Sequence, residues 1–297
     1  MRNPFRHHKA VYSKQVCQSC GRQYDPALRK CPECGAPYHD ERVIGAFAES
    51  TVVSPGKETA LFLVGWVGLI VIELIVEFIV IGIATQQYAG AGMTGDELGS
   101  AISGYISSGE GLAAIFIPTY IILCIVMMLI LWKDLPRVFS RFAKWKTYLG
   151  IVMGIVLLFA SALYSLAISA ATDITSNQNQ SNVDSMLLAS PGFAVVVLGL
   201  IGPFCEECAY RLGLYDLLKR RDTTLALIVS SLVFAFIHFD WSNAGSANEW
   251  LNMPSYLISG AILALTYEYF GFGGSYLAHA TNNIVALILT LSEASSA

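Results

Sequence analysis

Ile201-Gly202-Pro203-Phe204-Cys205-Glu206-Glu207-Cys208-Ala209-Tyr210-Arg211-Leu212-Gly213-Leu214 sets two adjacent carboxylates and a guanidinium inside an apolar run. Upstream, Ala194 to Ile201 carries no charge, and downstream the chain stays mostly apolar to Leu218. Ionisable groups at membrane depth are expensive and mark functional sites. On a helix Glu207 and Arg211 stand four apart and share a face, whereas Glu206 points about 100° away. The arginine can hold one carboxylate while the other faces a separate cavity. Two more polar signals follow in apolar surroundings, Phe234-Ala235-Phe236-Ile237-His238 and His279-Ala280-Thr281-Asn282-Asn283. His279 and Asn283 again share a face.

Working outward, 55% of the 297 residues are hydrophobic and 13% are charged. A soluble domain carries nearer a quarter charged, and a bilayer-crossing helix needs about 20 mostly apolar residues. The chain reads as an all-α polytopic membrane protein of about seven transmembrane helices, at 61–83, 112–132, 148–170, 192–218, 223–239, 255–270 and 275–291. No apolar run precedes Leu61, so no secretory signal is expected. The segment 172–191, rich in Ser, Asn and Gln, reads as a flexible surface excursion. Glu73 and Glu77 share a face of the first span, where a cavity-lining or packing role is expected.

Charge placement orients the map. Nine Lys/Arg lie in residues 1–57, five in 133–146 and three in 219–221, while 84–111, 171–191 and 240–254 hold none. With Arg211 these are all 18 basic residues. The positive-inside rule puts the N-terminus in the cytoplasm and the C-terminus outside, in a multi-pass cell-membrane protein. Helical rise raises a conflict over depth. Glu206 falls in the inner third of the bilayer, but His238, about 22 Å above an inner start at Thr223, lies too far out to meet it. The arithmetic leans toward a site opening to the cytoplasm.

Residues 1–36 form a basic tail and a small zinc ribbon, 37–60 a linker, and 61–297 the membrane domain, with a catalytic core at about 191–291. Cys17-x-x-Cys20-Gly21 and Cys31-x-x-Cys34-Gly35 each present two thiolates to one side of an ion, which suits tetrahedral zinc. Paired disulfides or redox-active thiols are the other readings. The ribbon's expected role is a cytoplasmic protein partner. Nucleic acid is not expected, since basic residues there lack the aromatic interleaving of a binding face.

Glu206-Glu207-x-x-x-Arg211 with Tyr210 before the arginine, then Phe234-x-x-x-His238, then His279-x-x-x-Asn283, resemble the signature of the CAAX prenyl protease-like (CPBP or Abi) intramembrane endopeptidases. The resemblance covers residues 191–291, and the ribbon is an addition to it. It implies a membrane enzyme hydrolysing a peptide bond of a membrane-associated protein or peptide. Glu206, working with His238, activates a water. His279 and Asn283 form the oxyanion hole, and Glu207 and Arg211 support the site. General-base help and donors at the developing oxyanion are what amide hydrolysis requires.

Other readings stand beside this one. Glu207 and Arg211 suit a structural ion pair, His238 an interfacial histidine, and His279 and Asn283 interhelical hydrogen bonding. Cys205 and Cys208 lack a base of their own and read as packing. No cofactor is expected at the site, although Glu206, His238 and His279 form a donor set for zinc in a metalloprotease version. The alternative from another class is a non-catalytic membrane scaffold or immunity protein keeping the fold. A proton-path transporter lacks the internal repeats that class shows.

Overall fold

The computed structural model describes residues 15–16, 23–24, 32–33, 53–172 and 177–296. The chain divides into two units, Met1–Ser50 and Thr51–Ala297. In the first, β1 (Gln15–Val16) pairs antiparallel with β2 (Gln23–Tyr24), with Gln15 opposite Tyr24. The expected zinc ligands Cys17, Cys20, Cys31 and Cys34 lie outside the described residues.

The second unit is helical: α1 (Pro55–Gly90), α2 (Gly95–Ile106), α3 (Gly109–Leu131), α4 (Leu135–Ser140), α5 (Trp145–Ala171), α6 (Gln178–Ala189), α7 (Pro191–Lys219), α8 (Thr223–Ile237) and α9 (Ala247–Ser296). Helix starts follow local chemistry. Pro55 and Pro191 occupy first-turn positions, where a missing N–H costs nothing. Side-chain oxygens of Ser108, Asn177 and Asp222 accept from Gly111, Gln180 and Leu225 N–H, satisfying otherwise orphaned donors.

Among the described residues four helices, α1, α3, α5 and α7, are long and apolar enough to cross a membrane. They match the first four of the seven expected spans. α8 has 15 residues, and the last two expected spans are the arms of α9. Gly271, at φ 75° and ψ −174°, breaks α9 with a conformation that a Cβ would strain. Ser275 Oγ donates to Leu263 O at 3.0 Å. Twelve residues of straight helix rise about 18 Å, so the two arms fold back as a hairpin.

The spans divide into rim and centre. In α7, 56% of the most apolar window is buried, against 17%, 28% and 11% in α1, α3 and α5. The rim turns Leu74, Phe78, Phe159 and Leu166 outward, as helices facing lipid do. The centre is assembled through small residues. A Cβ at Gly150 would strike the Gly274 backbone, and one at Gly154 the Ala278 carbonyl. This small-xxx-small face lets α5 cross close against the second arm of α9. Gly65 meets Ala209 in the same way, seating α1 on α7.

The region expected to be a flexible excursion, 172–191, contains the helix α6. Asn177 caps it, and Val183 and Leu187 make a stripe packed with Ala194 and Leu287. Polar composition concealed a helix that buries Met186 and Leu187.

The two ends of the bundle differ. At one end Arg220 makes a two-nitrogen pair with Glu58 (2.7 and 2.6 Å), Lys57 meets Asp134 (2.6 Å) and Lys219 meets Glu268 (2.8 Å). These bonds gather the basic segments expected on one side of the membrane. At the other end, the loops without Lys or Arg are tied by neutral donors and one carboxylate. Tyr164 Oη donates to Leu251 O at 2.7 Å, and Glu249 accepts from the N–H groups of Gln178 and Asp240, both at 3.0 Å.

Candidate active site

The motif Gly202-Pro203 acts first on the backbone. α7 widens to π geometry over Val197–Ile201, and Gly202 N–H goes to Val197 O. The next amide, Pro203, has no N–H to give. Leu198 O is thereby released, and Asn283 Nδ2 donates to it at 3.0 Å. Asn283 Oδ1 in turn accepts from Asn282 Nδ2 at 3.1 Å. The bulge in one helix thus fixes an amide on another, the kind of local widening that recurs at functional sites.

Glu206, His238 and His279 then converge. Glu206 Oε2 lies 3.9 Å from His238 Nε2 and 3.7 Å from His279 Nε2. It is buried without a hydrogen-bond partner among the described residues. Tyr120 Oη donates to its other oxygen at 3.5 Å. His238 Nδ1 is 2.8 Å from Phe234 O, a carbonyl that only accepts, so Nδ1 carries the proton. His279 Nδ1 is 3.0 Å from Glu207 Oε1. With both Nδ1 atoms engaged as donors, neutral rings aim two lone pairs at a carboxylate oxygen. Such a cluster calls for a proton or a donor molecule in its midst.

Glu207 is the buried hub behind these groups. It accepts from Ser275 Oγ as well as His279 and lies 3.4 Å from Arg211 Nε. Arg211 is fully buried, and its guanidinium nitrogens make no hydrogen bond among the described residues. Its charge also rests on the face of Phe234, 5.1 Å from the ring centre. That ring contacts both histidines, at 4.8 Å from His238 and 5.8 Å from His279. The aromatic four residues before His238 is the wedge that spaces the two imidazoles.

A cavity of about 390 Å³ opens over the cluster. Glu206, His238 and His279 line it together with Tyr120, Asn282 and Asn283. Its walls continue through Ser161 and Ser165 of α5 to Asn179 and Asn182 of α6 and Thr290 of α9. It therefore runs toward the end without basic loops, against the cytoplasmic leaning of the depth arithmetic. The depth conflict also resolves. Counted from the turn that joins α7 to α8, Glu206 is thirteen residues above Lys219 and His238 fifteen above Thr223, about 20 and 22 Å. α8 stops at the site, while α7 continues about 22 Å to Pro191.

All six residues singled out from the motifs meet here. Glu207 does more than pair with Arg211, since it holds His279 across 72 positions of sequence. Tyr256 was missed. It stacks on His238 with ring centres 4.7 Å apart, and its hydroxyl donates to Asn177 Oδ1, whose amide reaches His238 O. Ser275 could have been found, because it stands four residues before His279 on one face. Glu73 and Glu77 are half-buried on α1 and do not line the cavity. Cys205 and Cys208 are buried free thiols. No His, Cys, Asp and Glu cluster among the described residues has metal-holding geometry.

Residues 188–285 match the model of the type II CAAX prenyl endopeptidase Rce1-like family. The three motifs that resembled CAAX protease-like enzymes all fall inside the match. The chain is also similar to the UPF0177 protein YvdC of Lactococcus lactis subsp. lactis (strain IL1403), 24% identical over 151 residues. That alignment spans 50% of this chain and 56% of the relative, so the chain covers about half of the relative's length. No solved structure matches.

Proposed function

We propose that the chain is an intramembrane endopeptidase of the glutamate type. The observation that carries the reading is the convergence of Glu206 Oε2 with two histidine Nε2 atoms at the base of a cavity. A water there donates to Glu206, and its oxygen attacks the scissile carbonyl. The C–O bond forms as the O–H proton passes to Glu206, with His238 Nε2 sharing it. Collapse of the tetrahedral species breaks the C–N bond, and that proton leaves on the amine.

His279 and the second N–H of Asn283 serve the oxyanion. His279 can donate from Nε2 only as imidazolium, because Nδ1–H is already given to Glu207. That charge state makes the buried set neutral, with Glu206 and Glu207 against Arg211 and His279, and an uncompensated buried charge is thereby avoided. Glu207 is a positioning residue in this scheme.

The catalytic centre works without a cofactor, and the ribbon's four cysteines hold one structural zinc. Zinc analysis of the full chain is expected to give one ion. A second ion, lost in His238→Ala, would favour the metalloprotease version, in which Glu206, His238 and His279 hold a water-bearing zinc. The N-terminus faces the cytoplasm, where the ribbon engages a protein partner, and the C-terminus lies outside. The substrate is membrane-associated protein or peptide.

The test compares new peptide termini in membranes of cells carrying the wild type and Glu206→Gln at matched expression. Termini missing from the variant support proteolysis. Identical termini, with every phenotype kept, favour the non-catalytic scaffold.

A further inference from the structure

Resting on the endopeptidase reading, we infer that Tyr256 is a positioning residue of the reaction. It holds the His238 ring with Nε2 toward Glu206, and through Asn177 it makes that alignment depend on how α6 is seated. None of the three sequence motifs contains Tyr256 or Asn177.

His238 needs outside support because of where it stands. α8 ends at Ile237, and His238 is its C-cap, at φ −93° and ψ 1°. No further turn of that helix packs over the side chain. α8 itself supplies the Nδ1–H bond to Phe234 O, at 2.8 Å, and the Phe234 ring. The bond at Nδ1 sets the tautomer, but an imidazole held at one atom can still swing about it. Nε2, the atom that shares the proton, lies 3.9 Å from Glu206 Oε2, beyond hydrogen-bond contact. Its aim is therefore set by whatever else touches the ring.

Tyr256 supplies that touch from α9. Its ring lies nearly parallel to the imidazole, with 16° between the planes and 4.7 Å between the centres. A stacked neighbour of this kind opposes tilting of the smaller ring. The far end of Tyr256 is fixed in turn, since its hydroxyl donates to Asn177 Oδ1 at 3.1 Å and accepts from Asn179 Nδ2 at 3.2 Å. Both partners belong to the start of α6. Buried Asn177 also caps α6 through Gln180 N–H, and its amide donates to His238 O at 3.3 Å. That carbonyl stands at the end of α8, where helix carbonyls lack partners within the helix. One side chain thus joins α6, Tyr256 and the backbone of His238. Glu249 repeats the tie on the backbone by accepting from the N–H groups of Gln178 and Asp240. α6 lines the cavity through Asn179, Asn182 and Met186. A substrate that shifts α6 therefore shifts the alignment of His238.

The experiment compares full chains carrying Tyr256→Leu, Tyr256→Phe, Asn177→Ser and the Tyr256→Phe/Asn177→Ser pair with the wild type in proteoliposomes. One readout is kcat and KM on a peptide spanning a cleavage point found in wild-type membranes. The other is the rate at which diethyl pyrocarbonate acylates each histidine, read by mass spectrometry. Tyr256→Leu removes the ring and is expected to lower kcat about 10²-fold with KM within about twofold, as misplacement of a reacting group does. Tyr256→Phe keeps the ring and should restore all but about fivefold, the worth of one neutral hydrogen bond. Asn177→Ser keeps a cap for α6 but loses the amide that reaches His238 O, and should cost a similar factor. Residues acting along one path are non-additive, so the pair should cost no more than either alone. His238 should be acylated several-fold faster in Tyr256→Leu, with His279 unchanged.

An unchanged kcat in Tyr256→Leu, or a Tyr256→Phe as slow as Tyr256→Leu, would overturn the positioning role. A loss confined to KM would overturn it too, making Tyr256 a substrate contact. Equal acceleration at both histidines would mean a merely opened cavity and would count against it in the same way. Losses that multiply in the pair would remove α6 from the alignment. Should Tyr256→Leu fail to fold, the near-isosteric Tyr256→Phe decides, with faster acylation of His238 expected and an unchanged rate contradicting the role. Should the wild type cleave nothing, the endopeptidase reading fails by itself, and acylation still shows whether Tyr256 holds His238.

Discussion

The two ends of the helical unit solve opposite problems with different chemistry. The basic end is locked by charge, with Glu58 fully buried against Arg220 and Lys219 held on Glu268. The other end sets carboxamides and hydroxyls among apolar side chains and leaves a cavity over Glu206. Ion pairs tie helices firmly when both partners are present, but they cannot accommodate a passing peptide without losing their partners. Neutral amides exchange one hydrogen-bond partner for another at little cost. The contrast suggests a division of labour, stability at one end and recognition at the other, with Glu206 and Glu207 at the boundary.

The largest expected effect comes from Glu206→Gln. It keeps size and hydrogen-bonding capacity but removes the base, so peptide cleavage is expected to fall about 10²- to 10⁴-fold. The thermal midpoint in detergent should stay within a few degrees of wild type. An equal loss of stability would make Glu206 a structural residue and erase the boundary.

Glu207→Ala should fail on both counts. It strips His279, Ser275 and Arg211 of their shared acceptor and leaves a fully buried arginine unpaired. Breaking one side of a buried pair costs about 3–5 kcal/mol. Chemical denaturation should show that loss, and Glu207→Gln should recover part of the stability with lower kcat and little change in KM.

Arg220→Ala attacks the charged end alone. It strands the Glu58 carboxylate, and about 1–3 kcal/mol of stability should be lost, tempered by the 36% exposure of the arginine side chain. Cleavage by the folded fraction should be unchanged, and a matching fall in kcat would join the two ends functionally. Asn182→Ala, at the rim, has the smallest expected effect. It should raise KM about two- to fivefold, with kcat and denaturation midpoint intact.

Much of the site was legible because polar residues stand out in apolar helices. Glu206, His238, His279 and Asn283 were each visible for that reason, and the i, i+4 spacing made the Glu207–Arg211 pair plain. What stayed hidden depends on contacts between distant segments. No local pattern reveals that Glu207 holds His279, that Tyr256 lies flat on His238, or that Pro203 releases a carbonyl for Asn283. The fold follows the same division. Hydropathy located the long spans, but α6 was lost in a polar stretch and α9 was read as two spans without its hairpin. Gly150 and Gly154 were also passed over, although their spacing is a known close-packing face and their neighbours are backbone atoms of α9. Depth counted from a flat bilayer misplaced His238, since the helices share a turn rather than a common membrane surface.

The most direct test of the central claim is hydrolysis by the purified full chain in proteoliposomes, run in water enriched in oxygen-18 and read by mass spectrometry of the products. The account predicts new termini with one heavy oxygen in each new carboxylate, formed by the wild type and absent with Glu206→Gln. Products of equal yield and labelling from the variant would contradict it, because the water would then be activated by some other group.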